Sequence, residues 1–368
     1  MTTRIPIYEP WINDLDRQSL IAAFDSGWIS SVGENIQLFE QEFANYCGSK
    51  HGICVSNGTT ALHLVLDSIG IGVGDEVLVP DLTFVATANA VSYTGAVARP
   101  VAVNPQTLCI DPQAVIDNIS SKTKAIIAVH LYGHPADMVT LRRICDDYNL
   151  FLLEDAAEAH GAEIGGKKVG SWGDAATFSF YGNKVITTGE GGMITTDNAD
   201  LSDKLRFRRD HAMSKESRYW HPERGYNYRM TNLQAAIGRS QLSRIEEVLA
   251  RKKVIFELYQ SNLSNIDACT LNYTSPECQN VFWLVNVRLM SSCSKSVAEL
   301  AEYLSLNGID SRPIFFPMSS LPMFKHSQKC EVSWEAQKTM LSLPSGPLLT
   351  SKQIERICKH IIMFTNQE

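Results

Sequence analysis

From about residue 36, apolar segments of two different periods take turns along the chain, and this alternation constrains the fold more than any other feature. Ile36, Phe39 and Phe43 recur at helical spacing, and Leu62, Val65, Leu66 and Ile69 form a second stripe after the turn SNGTT. Short apolar runs then read as buried strands: EVLVP (76–80), AVARPVAV (96–103), KAIIAVHLY (124–132) and FLLEDAA (151–157). Helical stretches near 84–94, 111–119 and 137–148 separate them. Helices alternating with strands predict an α/β fold with a mainly parallel sheet, whose ligands sit beyond the carboxyl ends of the strands. Asp155, Thr83, Phe84 and His130 all fall at such ends, so one crevice is expected to gather them.

Past residue 240 the pattern changes. LQAAIGRSQLSRIEEVLARKKVIFELYQSNL (233–263) reads as one long helix leading from one lobe to another. VFWLVNVRLM then reads as a strand and VAELAEYLSLNG as a helix of a small α+β domain. The expected division is a large domain over residues 1–245 and a small C-terminal domain over 246–368.

Composition excludes several function classes. The chain has 368 residues, 44% of them hydrophobic, which is enough for a large core. Its net charge of −7, without a long basic run, argues against nucleic acid as a partner. Nine cysteines form no C-x-x-C pair and suit reduced thiols, hence a cytoplasmic protein. No stretch is long and apolar enough to predict a membrane span, and the first residues lack a signal-peptide core. His130 and His134 have i, i+4 spacing, but the glycine and proline of VHLYGHP break any helix there, so no metal site is expected.

The segment TFSFYGNKVITTGEGGMITT (177–196) runs apolar, reaches Lys184, and passes into three glycines. Two readings are open. Lys184 is a solvated turn cation, or it is drawn among core strands, where desolvation lowers its pKa and makes it a nucleophile. In VSNGTTALHL (55–64) a strand ends and a helix begins, which makes either an ordinary N-cap or an anion cradle of free N–H groups. An anion cradle, the carboxylate of Asp155, the ring of Phe84 and the amine of Lys184 together suit a phosphorylated aromatic aldehyde. Pyridoxal 5′-phosphate has that chemistry.

Seven stretches in order, SGWISSVG, VSNGTTALHL, DLTFVATANA, VHLYGHPADM, LEDAAEAHGA, TFSFYGNKVITTGEGGMITT and GYNYRMTNLQAAIG, resemble successive motifs of the DegT/DnrJ/StrS sugar aminotransferases. The resemblance runs from about residue 5 to the C-terminus. It implies the fold-type I architecture of pyridoxal-phosphate enzymes, with a seven-stranded mixed sheet in the large domain. It makes Lys184 the lysine that bonds the cofactor and shuttles protons, and Asp155 the partner of the pyridine nitrogen. Gly58, Thr59 and Ser179 would hold the phosphate, Phe84 would stack on the ring, and Glu158 would meet the phenolic oxygen. Asn227 would reach the phosphate of a neighbouring subunit, which implies a homodimer with shared sites.

The same resemblance implies L-glutamate as amino donor and a nucleotide-linked 4-keto-6-deoxyhexose, aminated at carbon 4, as acceptor. The product would serve O-antigen, lipopolysaccharide or glycoside biosynthesis. Glutamate at position 158, where much of the family has glutamine, resembles the branch that uses GDP-linked sugars; dTDP- or UDP-linked sugars are the alternatives. Trp28, Ser30, Trp220, His221 and Arg312 are the candidates for substrate contact. Ser319 departs from the histidine usual in that branch. A sugar dehydratase of the same fold would carry histidine in place of Lys184, and a non-catalytic sensor would be expected to lose Lys184 or Asp155. Both residues are present.

Overall fold

Apolar runs of five to seven residues become strands wherever helices can cover them on the way back. The computed structural model describes residues 4–324 and 329–366. Helices α1 (Asp14–Asp25) and α2 (Glu34–Cys47) precede β1 (His51–Val55). The alternation continues through α3 (Gly58–Ser68), β2 (Glu76–Pro80), α4 (Ala86–Tyr93), β3 (Val97–Val101), α5 (Pro112–Asn118), β4 (Thr123–Val129), α6 (Met138–Tyr148) and β5 (Phe151–Asp155). Two short strands, β6 (Glu163–Ile164) and β7 (Lys167–Lys168), come before β8 (Ala175–Ser179), β9 (Gly192–Thr196) and α7 (Ala199–Arg209).

Seven of these strands form one sheet in the order β1-β9-β8-β5-β4-β2-β3. Only β9 runs against the others, pairing antiparallel with both β1 and β8. The sheet is therefore mixed but mainly parallel, as expected. Ala125, Ile126, Ile127 and Ala128 of β4 are all fully buried, the continuous apolar pattern of a strand covered on both faces.

The remaining elements are α8 (Asn232–Ser243), α9 (Ile245–Leu263), β10 (Cys269–Leu271), β11 (Cys278–Gln279), β12 (Val285–Leu289), α10 (Val297–Leu306), β13 (Arg312–Pro313), α11 (Glu331–Thr339), β14 (Met340–Leu343) and α12 (Ser351–Thr365). An antiparallel sheet in the order β10-β12-β14-β13 packs one face into a second core with α9, α10 and α12, through Tyr259, Val287, Leu300 and Ile357. β11 instead joins β6 and β7. No helix among the described residues is long and apolar enough to cross a membrane.

Three sequence expectations shift. The long helix is two helices, interrupted at Arg244 (φ −125°, ψ 21°). The guanidinium of Arg244 is pulled into a buried ion pair with Asp16 at 2.7 Å, and this tertiary tie overrides helix propensity. The strand expected to reach residue 132 ends at Val129, because Tyr132 sits in a left-handed turn (φ 53°). The strand read at 281–290 begins only at Val285; Val281, Trp283 and Leu284 pack into the first core, while Phe282 packs into the second.

The N-terminal segment is docked far along the chain. Ile5 N donates to Gly308 O and Ile5 O accepts from Asp310 N, both at 2.9 Å, and Ser345 N donates to Ile7 O at 2.9 Å.

Candidate active site

Parallel strands end on a common edge, and the chain opens there into a cavity of about 500 Å³. Asp155 closes β5 and Ser179 closes β8, while α3 starts just after β1. Thr83 and Phe84 follow β2, and Lys184 lies in the turn after β8. All of these line the cavity, with Gly58, Thr59 and Glu158.

The turn-cation reading of Lys184 does not survive. Its side chain is only 12% exposed, and Nζ lies 3.8 Å from Oε1 of Glu158 and 4.0 Å from the ring centroid of Trp283. Burial lowers the ammonium pKa, and the carboxylates of Glu158 and Asp155 oppose that shift. The main chain around the lysine is fixed from two distant segments. Tyr8 Oη donates to Lys184 O at 2.9 Å, and Trp283 Nε1 donates to Asn183 O at 2.7 Å.

Asp155 is oriented by a hydroxyl relay. Thr87 Oγ1 donates to Asp155 Oδ2 at 2.8 Å, Thr83 and Thr87 share a 2.9 Å hydrogen bond, and Ala157 N donates to Asp155 Oδ1 at 3.3 Å. Burial pushes the carboxyl pKa up, and Thr87 and Lys184 hold it back. No ion pair to Asp155 forms among the described residues.

Glu158 Oε2 accepts from Tyr132 N at 2.8 Å, yet burial raises its pKa from 4.5 to about 7. Between those values the folded chain keeps a proton that the unfolded chain has lost. Stability from this group is present below about 4.5 and is lost as pH rises through about 7. The buried His134 and His160, with pKa values brought down to about 4 and about 3, gain stability over part of the same window, so the expected signature is differential: cofactor-free Glu158→Gln should melt progressively higher relative to the native protein as pH rises from about 4.5 to about 7. Melting curves at stepped pH check this; an unchanged slope in the variant refutes it.

The anion cradle is built by the start of α3. Asn57 Oδ1 accepts from Thr60 N at 2.9 Å and Asn57 O accepts from Ala61 N at 3.1 Å, leaving the Gly58 and Thr59 N–H groups without partners among the described residues. The approach is close: a Cβ on Gly58 would come within 2.9 Å of Ser179 Cβ, and one on Gly192 within 2.6 Å of Asn57 backbone atoms. The N-cap reading is thus met, and it leaves the cradle reading open, because the Asn57 side chain caps one donor and leaves two.

Other candidates lie elsewhere. His130 is a correction: it is fully buried and does not line the cavity. Alternate side chains of a strand face opposite ways, and His130 meets Glu154, not Asp155, at 3.0 Å, while its Nδ1 accepts from Ala136 N. Asn227 is exposed and outside the cavity of its own chain, its Oδ1 accepting from Arg229 Nη2 at 3.1 Å. Tyr226 and Tyr228 on either side of it stack at 4.7 Å and pack against His63 of α3, which explains why an aromatic-rich segment presents Asn227 outward.

Trp28, Ser30, Trp220, His221 and Arg312 are likewise exposed and do not line the cavity within one chain. The carbonyls of Trp28 and Ser30 accept from Asn232 at the start of α8, His221 bonds the carbonyl of His211, and Arg312 lies on the edge strand β13. Ser319 N donates to Asp81 Oδ1 at 2.8 Å, and its Oγ accepts from Trp334 Nε1 at 3.2 Å.

The sequence reading missed an aromatic wall. Phe84 leans on Phe315 (5.6 Å), Phe315 stacks on Tyr132 (5.3 Å), and Tyr132 stacks on Trp283 (6.1 Å), which faces Lys184. Beneath it Lys252 is buried, with no carboxylate partner among the described residues. Its Nζ donates to Trp283 O at 2.8 Å and Ser345 O at 2.5 Å, and burial brings its pKa down to about 7. The visible signal was the apolar FW pair at 282–283; nothing local said which surface it covers.

A desolvated amine facing a buried carboxylate, beside a helix N-terminus at the carboxyl edge of a mainly parallel sheet, belongs to the fold-type I aminotransferases. The chain is a member of the DegT/DnrJ/EryC1/StrS aminotransferase family, whose model matches residues 10–362. It is 44% identical to a GDP-perosamine synthase of Caulobacter vibrioides over 96% of both chains. It is 40% identical to a GDP-perosamine synthase of Vibrio cholerae over 98% of this chain and 99% of that one. The crystal structure of DesV from S. venezuelae superposes with a TM-score of 0.92 at 32% identity, covering 100% of each chain. Family and structural neighbours together imply pyridoxal 5′-phosphate as cofactor.

Proposed function

We propose that this enzyme moves the amino group of L-glutamate to carbon 4 of a GDP-linked 4-keto-6-deoxyhexose, giving GDP-perosamine or a close isomer for surface-polysaccharide or glycoside synthesis. The observation that carries the reading is the buried amine of Lys184 set against Asp155 and Glu158. The residues fit pyridoxal 5′-phosphate: Asp155 lacks a cationic partner that a protonated ring nitrogen supplies, and the free N–H groups of Gly58 and Thr59 beside Ser179 suit a phosphate. When bound, the cofactor supplies a conjugated ring that accepts the electrons left when the donor's α-hydrogen departs as a proton.

Asp155 holds the proton on the ring nitrogen. Glu158 would meet the phenolic oxygen, and Phe84 would stack on the ring; both side chains line the cavity. Lys184 Nζ would take the proton from the donor's α-carbon in the first half-reaction and would give a proton to carbon 4 of the sugar in the second. Trp283 seats the amine while it is not covalently engaged. Glu158 and the full-length identity to GDP-perosamine synthases support the GDP linkage. The second reading, a dTDP-linked acceptor, draws on 36% identity to a dTDP-3-amino-3,4,6-trideoxy-α-D-glucose transaminase of Streptomyces venezuelae over 89% of this chain and 86% of that one. Incubation with glutamate and GDP-, dTDP- or UDP-linked 4-keto-6-deoxy sugars, with products weighed by mass spectrometry, tests it. Amination of a dTDP sugar alone refutes the GDP assignment.

The two units divide at 245/246 in this reading, next to the Arg244 break. The working form is a homodimer, in which Asn227 enters the partner's phosphate site and Trp28, Ser30, Trp220, His221 and Arg312 border the sugar. Exposed apolar side chains at Leu15, Ile21, Phe24, Trp28, Ile29 and Val32 support such an interface. Mixing inactive Lys184→Ala chains with inactive Asn227→Asp chains is expected to restore activity, since a hybrid dimer keeps one native site. Confirmed subunit exchange without recovery would rule out sharing.

A further inference from the structure

On the reading of Lys184 as the working amine, we propose that Lys252 is a positioning residue for the reaction: its buried amine holds Trp283 and Tyr8, the two side chains that fix the main chain of Asn183 and Lys184. It thereby sets where the Lys184 amine stands.

Helix α9 buries a stripe at helical spacing that includes Val248, Leu249, Lys252, Ile255, Phe256 and Tyr259. Only Lys252 among them carries a charge. Val248 and Leu249 pack into the first core and Ile255, Phe256 and Tyr259 into the second, so Lys252 sits at the seam between the two, 1% exposed. An ammonium there gives up its hydration and gains no ion pair among the described residues, and burial brings its pKa down to about 7. An unbranched apolar side chain suits such a stripe better, so stability does not account for the lysine.

Its contacts do. Nζ donates to Trp283 O at 2.8 Å and to Ser345 O at 2.5 Å, and it lies 5.2 Å from the ring centroid of Tyr8. Two carbonyl oxygens and a ring face are all electron-rich, which fits an ammonium with its three hydrogens and leaves the lone pair of a free amine nowhere to point. From these contacts two short routes reach the site. Trp283 Nε1 donates to Asn183 O at 2.7 Å, and the Trp283 ring centroid stands 4.0 Å from Lys184 Nζ. Tyr8 Oη donates to Lys184 O at 2.9 Å. Ser345 joins the routes, since its N donates to Ile7 O at 2.9 Å, beside Tyr8, and its Oγ accepts from Val285 N at 2.8 Å, just past Trp283. Both distant fixings of the lysine turn thus hang on one cation, which itself does not line the cavity.

The test uses the cofactor-loaded enzyme with Lys252→Met, which keeps an unbranched chain without donor or charge, and Lys252→Gln, which keeps two N–H donors without the charge. Visible circular dichroism per bound cofactor reports how firmly the ring bonded to Lys184 is held, whichever sugar nucleotide the enzyme takes. In Lys252→Met this signal is expected to fall to about half or less and kcat by at least about tenfold, the cost of a small misplacement, with KM for the nucleotide sugar within about twofold. The melting temperature should hold or rise, and Lys252→Gln should fall between Lys252→Met and the native enzyme. Tyr8→Phe removes one of the two routes, so adding it to Lys252→Met should lower kcat by less than it does alone. Native-like dichroism and kcat in a folded Lys252→Met or Lys252→Gln protein overturns the proposal. So does failure of both variants to fold, which makes Lys252 a support of the core alone. Absence of a visible band in the native enzyme overturns the reading of Lys184 itself, and this proposal with it.

Discussion

Lys184→Ala is expected to lose at least about 10³-fold in turnover, the scale of a positioned proton-transfer group, while the protein stays folded. Burial lowers the pKa of this amine, so it gives up its proton more readily than an exposed lysine does. Its side chain contributes little packing, since it points into the cavity toward Glu158 and Trp283. Without the ammonium, Glu158 loses the charge that holds its pKa down, so the variant should keep that carboxyl protonated to higher pH. Steady-state turnover by coupled assay, with circular dichroism as the folding control, checks the first point. Small primary amines added to the variant should recover part of the rate. A variant retaining a tenth of native turnover without them would remove Lys184 from its role.

Asp155→Asn carries the second largest effect, a loss on the order of 100-fold or more, as for other groups that stabilise developing charge. The substitution preserves shape and can still accept from Thr87, so cofactor binding, read from the visible absorption band, is expected to persist. What disappears is the negative charge that, in the proposed role of Asp155, would keep the ring nitrogen protonated. A near-native rate with cofactor bound would show that the charge is not needed.

Most of the cavity was legible in the sequence because each part of it is a local event. A strand ending in aspartate, a turn opening a helix and a lysine after an apolar run can each be read within about ten residues. The sheet was legible for the same reason, since period and length identify strands one at a time. What could not be read is what distance in the chain hides. Tyr8 reaches Lys184 across 176 positions and Trp283 reaches Asn183 across 100, and no local pattern encodes either pairing. His130 was misplaced because strand ends look alike in sequence, while the pleat sends Glu154 and Asp155 to opposite sides. The Arg244 break was invisible because its cause, Asp16, lies in the first helix.

The docking of the N-terminal segment sets an order of assembly. Ile5 and Ile7 bond to Gly308, Asp310 and Ser345, and Tyr8 bonds to Lys184. On the ribosome Ile5 and Ile7 emerge long before Gly308, Asp310 and Ser345, and must wait for them before they find their places. Until then the main chain under Lys184 lacks one of its two fixings, so a nascent chain can complete its large sheet well before it owns a finished catalytic floor.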